Sequence, residues 1–529
     1  MTTGYDFIVV GGGSAGSVIA ARLSENPDLR VLLLEAGGGD RHPLFHLPAG
    51  FAKMTKGIGS WGWSTVPQQH MQGKVFTYTQ AKVIGGGSAI NAQIYTRGAA
   101  QDYDDWRQMG CEGWGYADVL PYFKKSEDND TYGGEFHGQG GLLGVSMPAA
   151  PLPICDAFIE AAGQLGIPKT TDVNGAKQDG AGYYQLTQRS ARRSSAAMAF
   201  LAPAQSRPNL TIQTHAQVRR ITVENRRATG VELLDGRKIV AEAEVILSSG
   251  AIGSPRLLQL SGIGPADTLR ALGIDVVYDQ PNVGTNLQDH LDLYAICEVT
   301  GPHTYDRYAK PHLSALAALQ YLLTRKGPVA SSLFETGGFW YADENARSPD
   351  IQMHLGLGTG IEAGVAAMPN GGVTLNACHL RPRSRGSVRL RSDNPAEMPL
   401  IDPNYLSDPY DREMSVRGLK LVQKILAQEA LKPYILAERL PGPDVRTDED
   451  YFNFICEHSK TSHHCAGTCR MGGDTGAVLN PRLRFNGIEG LRVADASIMP
   501  TVNSSNTNAP SIMIGEKAAD MIKQDHNVF

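Results

Sequence analysis

The sequence predicts an α/β fold, α+β over the whole chain. A discontinuous domain that begins with a strand–turn–helix–strand unit is combined with a second domain built on a mixed sheet. Three observations predict it. The stretch "YDFIVVGGGSAGSVIAARLSENPDLRVLLLEAG" runs from an apolar segment through three glycines into a helical pattern and then into a second apolar segment. Glycine-rich blocks return at residues 81 to 98, at 250 to 264 and close to the C terminus. Between about residues 300 and 455 they thin out, and strands such as "VTLNACHLRP" and "GSVRLRS" alternate with helices such as "DREMSVRGLKLVQKILAQ". The 529 residues are too many for one ordinary core and enough for two.

Composition narrows the function classes. Lys and Arg number 49 against 54 Asp and Glu, with no basic block to follow a phosphate backbone, so nucleic acid is not an expected partner. The 59 glycines sit in a chain whose apolar fraction is 42%, which points to tight turns in a globular protein and not to disorder. Seven cysteines follow no framework spacing, so reduced thiols and a cytoplasmic location are expected. The first apolar segment runs straight into the glycines, without a basic leader, a cleavage site or a long apolar span. Peripheral membrane association stays open, as does the oligomeric state.

Each element of the opening unit has a physical reason. Residues 6 to 10 read as a buried strand, and Val18, Ile19 and Leu23 carry the apolar face of the helix that follows. Gly11 permits the turn, Gly13 lets the backbone approach a pyrophosphate, and Gly16 lets the helix pack on the strand. The helix N-terminus then offers free N–H groups to the anion. Glu35 ends the second strand, where its carboxylate can accept hydrogen bonds from an adenosine ribose. This is a Rossmann-like dinucleotide site. By itself it leaves FAD and NAD undistinguished.

The remaining blocks decide between them. "AKVIGGGSAINAQIYTRG" brings three glycines before Ser88 and Asn91, a backbone able to lie against a flat ring. "GAIGSPRLLQLSGIG" follows the apolar strand "AEVILS", with Ser254 and Pro255 placed to start a helix and Gly262 and Gly264 to stop it; Gly250 falls near the nucleotide. "HHCAGTCRMG" and "LRVADASIMPTVNSSNTNAPSIMIGEKAADMI" close the series. In the last, a strand ends at Asp495, and Asn506 to Asn508 with Pro510 cap a helix whose N-terminus carries a partial positive charge.

These four blocks, in this order, resemble the glucose–methanol–choline (GMC) oxidoreductases, and the resemblance runs from residue 4 to about residue 522. It implies FAD as cofactor and oxidation of an alcohol to a carbonyl. It also extends the expected cofactor contacts to Ser14, Ala15, Ala36, Val83, Gly86, Ala92, Val218, Ala496 and Thr507. The family's catalytic base falls on His464 and its partner on Asn506, with His463 in a neighbouring position. A histidine is suited to accept the hydroxyl proton, whereas an asparagine donates a hydrogen bond and does not titrate. Where some members attach FAD covalently through a histidine, this chain has Ile90, so the FAD is expected to be non-covalent. His463, His464, Cys465 and Cys469 fit no common metal spacing, and no metal is expected. "PNVGTNLQDH", residues 281 to 290, reads as a structural return loop.

The expected division places residues 1–155, 205–300 and 455–529 in the FAD-binding domain, and 156–204 and 301–454 in the substrate-binding domain. "LFETGGFWYADENARSPDIQMHLG" is the expected specificity segment, with Trp340 and Glu335 as candidates. Glu335 is weighed there against a plain solvated loop carboxylate. Within the family, "RHPLFHLPAGFAKMT", "GPVASSLFETGGFWY" and "GTGIEAGVAAMPNGGVTLN" look most like the bacterial L-sorbose dehydrogenases, next to choline and aliphatic alcohol dehydrogenases. A sugar or polyol is thus the expected substrate, with an aliphatic, aromatic or choline-like alcohol as the alternative. The electron acceptor is left open among a quinone, an artificial acceptor and O2. A hydroxynitrile lyase of the same fold is the alternative of another class.

Overall fold

The computed structural model describes residues 4–54, 57–359 and 368–528. Two seven-stranded sheets organise it. The first has the order Leu210–Gln213, Val31–Leu34, Tyr5–Val10, Lys238–Leu247, Arg227–Leu233, Val218–Glu224, and Leu491–Val493 also pairs with Lys238–Leu247. Ile8 stands between Leu32 and Val245, and Val245 pairs with Leu491, all in parallel. Such strands are covered on both faces, which is why "VLLL" and "FIVV" are apolar runs and not alternations. Lys238–Leu247 is antiparallel to Arg227–Leu233 at its start and parallel to its other neighbours at its end, so one long strand joins a hairpin to the parallel core.

The helix Ser14–Leu23 leaves the first strand and packs against the C-terminal helix Asn508–His526. A Cβ on Gly515 would lie 2.8 Å from the Ala15 carbonyl oxygen, so the two helices touch backbone to backbone. Arg22 adds a two-pronged pair of 2.8 Å bonds to the buried Glu516 carboxylate.

The helix after Lys238–Leu247 spans Gly250–Leu260 and does not begin at Ser254 and Pro255 as the sequence suggested. Pro255 has no N–H to offer the Ala251 carbonyl, and Thr468 Oγ1 donates to that carbonyl instead, at 2.6 Å. A side chain from the "CAGT" block thereby satisfies the carbonyl that Pro255 leaves without a partner.

The second sheet has the order Ile435–Leu440, Leu291–Val299, Gly372–His379, Ile351–Gly356, Thr336–Trp340, Gly180–Tyr183, and Lys460–Thr461 also pairs with Leu291–Val299. Its strand pairs are antiparallel; a parallel bridge from Lys169 to Ala181 lies at its edge. Leu291–Val299 and Lys460–Thr461 both pair within this sheet. Leu291–Val299 is buried at all nine positions because it lies between neighbours in the sheet and beneath the helix Pro409–Leu426. Residues 360–367 of the stretch "GTGIEAGVAAMPNGGVTLN" and Thr55 lie outside the described residues.

Candidate active site

One deep cavity opens between the two sheets, and its walls are of two kinds. The first is mostly backbone. Gly11 sits at φ +107°, and a Cβ there would lie 2.4 Å from the Ser248 carbonyl oxygen, so only glycine fits the turn. A Cβ on Gly86 would lie 2.5 Å from Gly13 Cα, which shows how closely the two glycine segments abut. Gly13, Ser14 and Ala15 line the cavity on one side of that junction, and Gly86, Ile90, Asn91 and Ala92 line it on the other.

Glu35 follows its strand directly and is buried. It accepts 2.9 Å and 2.7 Å bonds from the Gly12 and Gly37 amides, one on each oxygen. Burial pushes its pKa up, and those two amides oppose the rise. Each oxygen keeps a lone pair for a ribose hydroxyl. Ala36, Val218 and Gly250 line the same end.

Three helix N-termini open on this wall, those of Ser14–Leu23, Gly250–Leu260 and Asn508–His526. Each turns the positive end of a helix dipole toward the cavity. Ser14 Oγ donates to Asn508 Oδ1 at 2.8 Å and ties the first terminus to the last. Asp495 fixes the middle one, accepting from Gly250 N and Ser254 Oγ on one oxygen and from Ser497 N on the other. Asp495, Ala496 and Thr507 line the cavity.

Three of the expected contacts lie behind the surface. Gly16 faces Gly11 across the turn, Val83 bridges to Gly38, and Ser88 donates to the Gly85 carbonyl while accepting from Ala196 N. They hold the glycine segments and do not line the cavity.

The second wall is made of buried side chains. His464 Nε2 and Asn506 Nδ2 are 3.0 Å apart, and both residues line the cavity. His464 Nδ1 lies 3.0 Å from His290 Nδ1, and His290 Nε2 lies 3.1 Å from the Leu380 carbonyl oxygen. That carbonyl can only accept, and this fixes every proton in the row. His290 carries its proton on Nε2 and accepts on Nδ1, so His464 carries its proton on Nδ1 and keeps a bare Nε2 toward Asn506. The amide is held in the matching sense, because Gln352 Nε2 and Thr96 Oγ1 both donate to Asn506 Oδ1, at 2.9 and 3.0 Å.

Burial keeps both rings neutral: His464 falls well below the usual histidine range, and His290 falls to about 3. The result is an uncharged imidazole at the cavity wall whose Nε2 lone pair accepts from the Asn506 amide.

The backbone of His464 is held by Asp289. Its Oδ1 accepts the His464 amide at 2.7 Å, and its Oδ2 accepts from Tyr78, Tyr405 and Thr461 hydroxyls. His463 adopts φ +61° and also lines the cavity, and burial lowers it to about 4. The "NLQDH" loop, expected to be structural only, thus supplies two groups that hold His464. The sequence signal was an adjacent acid and histidine, whose partner lies 174 residues away.

Toward the second sheet the cavity is lined by Phe51, Phe334, Asp292, His354, Asn376, Lys460 and Ser462. The expected specificity segment contributes Phe334 and His354, not Glu335 and Trp340. Glu335 is not a solvated loop carboxylate: it is 2% exposed, and burial raises it to about 7. Its side chain alternates away from that of Phe334, and Trp340 stands half-buried at the far end of the strand. Among the described residues, Asp292, His354 and Cys378 are the three whose donor atoms come within 4.8 Å of one another. None of His463, His464, Cys465 or Cys469 joins them.

The fold and this site define a flavin-dependent oxidoreductase. GMC oxidoreductase family models match residues 5–292 and 382–515, and the chain belongs to that family. It is 43% identical over 524 residues to the oxygen-dependent choline dehydrogenase of Brucella suis biovar 1 (strain 1330), covering 98% of this chain and 95% of that one. It is 40% identical over 527 residues to an alcohol dehydrogenase (acceptor) of Pseudomonas putida, with the same coverage. Its structure is similar to that of pyridoxine 4-oxidase from Mesorbium loti, with a TM-score of 0.90, 33% identity and 99% of each chain covered. A formate oxidase variant from Aspergillus oryzae RIB40 gives 0.93 at 26% identity, again with 99% of each chain covered. The chain is therefore an FAD-dependent enzyme acting on CH–OH donors. The glycine cradle, the Glu35 carboxylate and the three helix N-termini suit the adenosine, pyrophosphate and flavin of that cofactor.

Proposed function

We propose that this enzyme oxidises a primary hydroxyl of a neutral sugar or polyol, such as L-sorbose to L-sorbosone, with His464 as the base and Asn506 as a hydrogen-bond donor. The observation that carries this reading is the bare Nε2 of His464, 3.0 Å from the Asn506 amide nitrogen. A substrate hydroxyl that replaces this direct bond donates to Nε2 and accepts from Asn506 Nδ2. As the C–H bond breaks, the hydroxyl proton passes to Nε2, while the Nδ1–H bond to His290 keeps the ring in place. Bound FAD supplies the acceptor for the hydride at N5. Ile90 offers no atom for a covalent link to the cofactor, which supports a dissociable FAD.

Asp292, Asn376, Lys460 and Ser462 support a polyhydroxylated substrate, since each can bind a hydroxyl. A choline-like substrate is the second reading. It is favoured by the stacked Trp61 and Trp63, ring centroids 4.9 Å apart, and by the Asp292 carboxylate. The Lys460 ammonium lies 3.8 Å from that carboxylate and offsets its charge, which disfavours a second cation there.

The test is anaerobic mixing of the FAD-loaded enzyme with L-sorbose, other polyols, choline, aliphatic alcohols, benzylic alcohols and a cyanohydrin, followed by air. Selective bleaching by the sugar and slow recovery in air are expected. Bleaching by choline alone would overturn the substrate assignment, and cyanide release without bleaching would overturn the redox reading.

A further inference from the structure

The helix Pro311–Thr324 turns its apolar side outward. Its sequence "PHLSALAALQYLLT" contains no Asp, Glu, Lys or Arg, and only Ala317 and Tyr321 are buried. Leu316, Leu319, Leu322 and Leu323 are 61%, 53%, 67% and 76% exposed. Their spacing puts all four on one side of the helix, opposite Ala317 and Tyr321. Tyr321 anchors the inner side through a 2.9 Å bond from its hydroxyl to the Ala191 carbonyl. Lone exposed leucines are ordinary, but four in one stripe form a patch.

Basic residues flank the stripe. Arg307 and Lys310 precede it, Arg325 and Lys326 follow it, all four are exposed, and no Asp or Glu occurs from 307 to 326. Among the described residues none of the four forms an ion pair. Arg307 and Arg325 instead lie against the Tyr308 and Tyr321 rings. The preceding acid, Asp306, turns inward and accepts from the Thr359 and Gly372 amides.

From this apolar stripe and its basic ends we infer that the helix Pro311–Thr324 is a docking surface for an anionic lipid bilayer and lies in the headgroup plane. Fourteen residues extend about 21 Å at roughly 1.5 Å each, short of the ~30 Å hydrocarbon core, so the helix rests on the membrane and does not cross it. Among the described residues no helix is long and apolar enough to cross. A second copy of the chain is a poorer occupant. Both ends of the helix are basic, so parallel or antiparallel pairing would set cations against cations with no acid between them. Phosphate headgroups supply the missing negative charge.

The placement has a consequence for the site. Four residues after the helix comes the turn Pro328–Ala330, which packs on the turn Pro48–Gly50. Just beyond these turns come Phe334 and Phe51, whose rings are 6.0 Å apart in the apolar cavity wall. A docked enzyme therefore holds that wall close to the lipid, where an apolar electron acceptor such as a quinone is dissolved. This surface does not depend on the identity of the alcohol.

The experiment is co-sedimentation of the FAD-loaded full chain with vesicles of equal parts phosphatidylcholine and phosphatidylglycerol, and with pure phosphatidylcholine vesicles. Binding to the mixed vesicles, at least about tenfold weaker on the neutral ones and weakened by salt, is expected. Leu319→Asp with Leu323→Asp should lose that binding, and Lys310→Glu with Lys326→Glu should lose its preference for anionic lipid. Both variants replace exposed side chains, so flavin content and turnover with a water-soluble dye should stay at the parent level. Two outcomes overturn the inference: a parent enzyme that stays in solution with mixed vesicles, or a double Asp variant that binds undiminished. A parent that ignores vesicles but is dimeric by light scattering, and monomeric as the double Asp variant, would assign the face to a second copy instead.

Discussion

The two walls of the cavity are built from different materials. The cofactor wall uses amides, helix ends and absent side chains; the catalytic wall uses a row of buried rings and amides whose protons are fixed by one carbonyl, that of Leu380. The first tolerates a carboxylate with spare lone pairs, while the second keeps two histidines uncharged. Binding and chemistry should therefore come apart under substitution.

The widest separation is expected for His464→Ala. Loss of the base should slow anaerobic flavin reduction by roughly two to four orders of magnitude, while the cradle keeps its FAD. Stopped-flow traces and a flavin-to-protein ratio check both halves, and a variant that loses FAD instead would join the two walls into one unit. His290→Leu should slow the same step by about ten- to a hundredfold, since it leaves the His464 Nδ1–H without an acceptor and frees the ring to place its proton on Nε2. His290→Asn, which keeps an acceptor near Nδ1, should recover most of the rate. Equal defects in both variants would show that the row does not set the tautomer.

Glu35→Gln probes the other wall. Its amide group must face one of the two backbone donors, so FAD affinity should fall about tenfold, the equivalent of ~1.4 kcal/mol, with reduction per bound flavin unchanged. Acid precipitation of the parent enzyme should leave the FAD in the supernatant, and flavin retained in the pellet would contradict the dissociable cofactor.

Acidity probes the neutral rings of the catalytic wall together. His290, His463 and His464 titrate far below the ~6.5 of an unfolded chain, at about 3, at about 4 and well below normal. Below pH ~6.5 the unfolded state binds more protons, so stability falls as the medium is acidified toward about 3 to 4, by up to ~1.4 kcal/mol per pH unit for each ring. Denaturant unfolding along a pH series measures the slope; a flat profile from 6.5 to 4 would mean the rings are not buried neutral. Flavin reduction should show one rising limb on the acid side and a plateau, because Asn506 cannot titrate. A bell-shaped curve would require a second titrating group at the reacting oxygen.

The same contrast explains what was legible in the sequence. Gly11, Gly13 and Glu35 declare themselves because a turn, an anion and a ribose each dictate a residue type at a fixed short spacing. The pairing of His464 with Asn506 was readable only through the family's blocks. The helix start at Gly250 was not readable, because the hydroxyl that satisfies the carbonyl freed by Pro255 belongs to Thr468, 217 residues on. His290 and Asp289 were missed for the same reason: a loop acquires its meaning from what packs on it. Glu335 was misplaced because a carboxylate beside a strand start carries no local sign of burial; its neighbours in the second sheet decide that.

The bond from Ser14 to Asn508 also bears on how the molecule is made. It joins residues 494 apart, so the earliest-translated part of the cradle stays unfinished until the C-terminal helix has left the ribosome. At roughly 5–20 residues per second, the N-terminal glycine segment waits between about 25 and 100 seconds for that partner. Over that interval the nascent chain exposes apolar strands with no closed pocket to hold flavin, which makes cofactor loading a late event in biogenesis. Cells short of riboflavin should accordingly accumulate a full-length but incompletely consolidated enzyme, the form most open to chaperones and proteases.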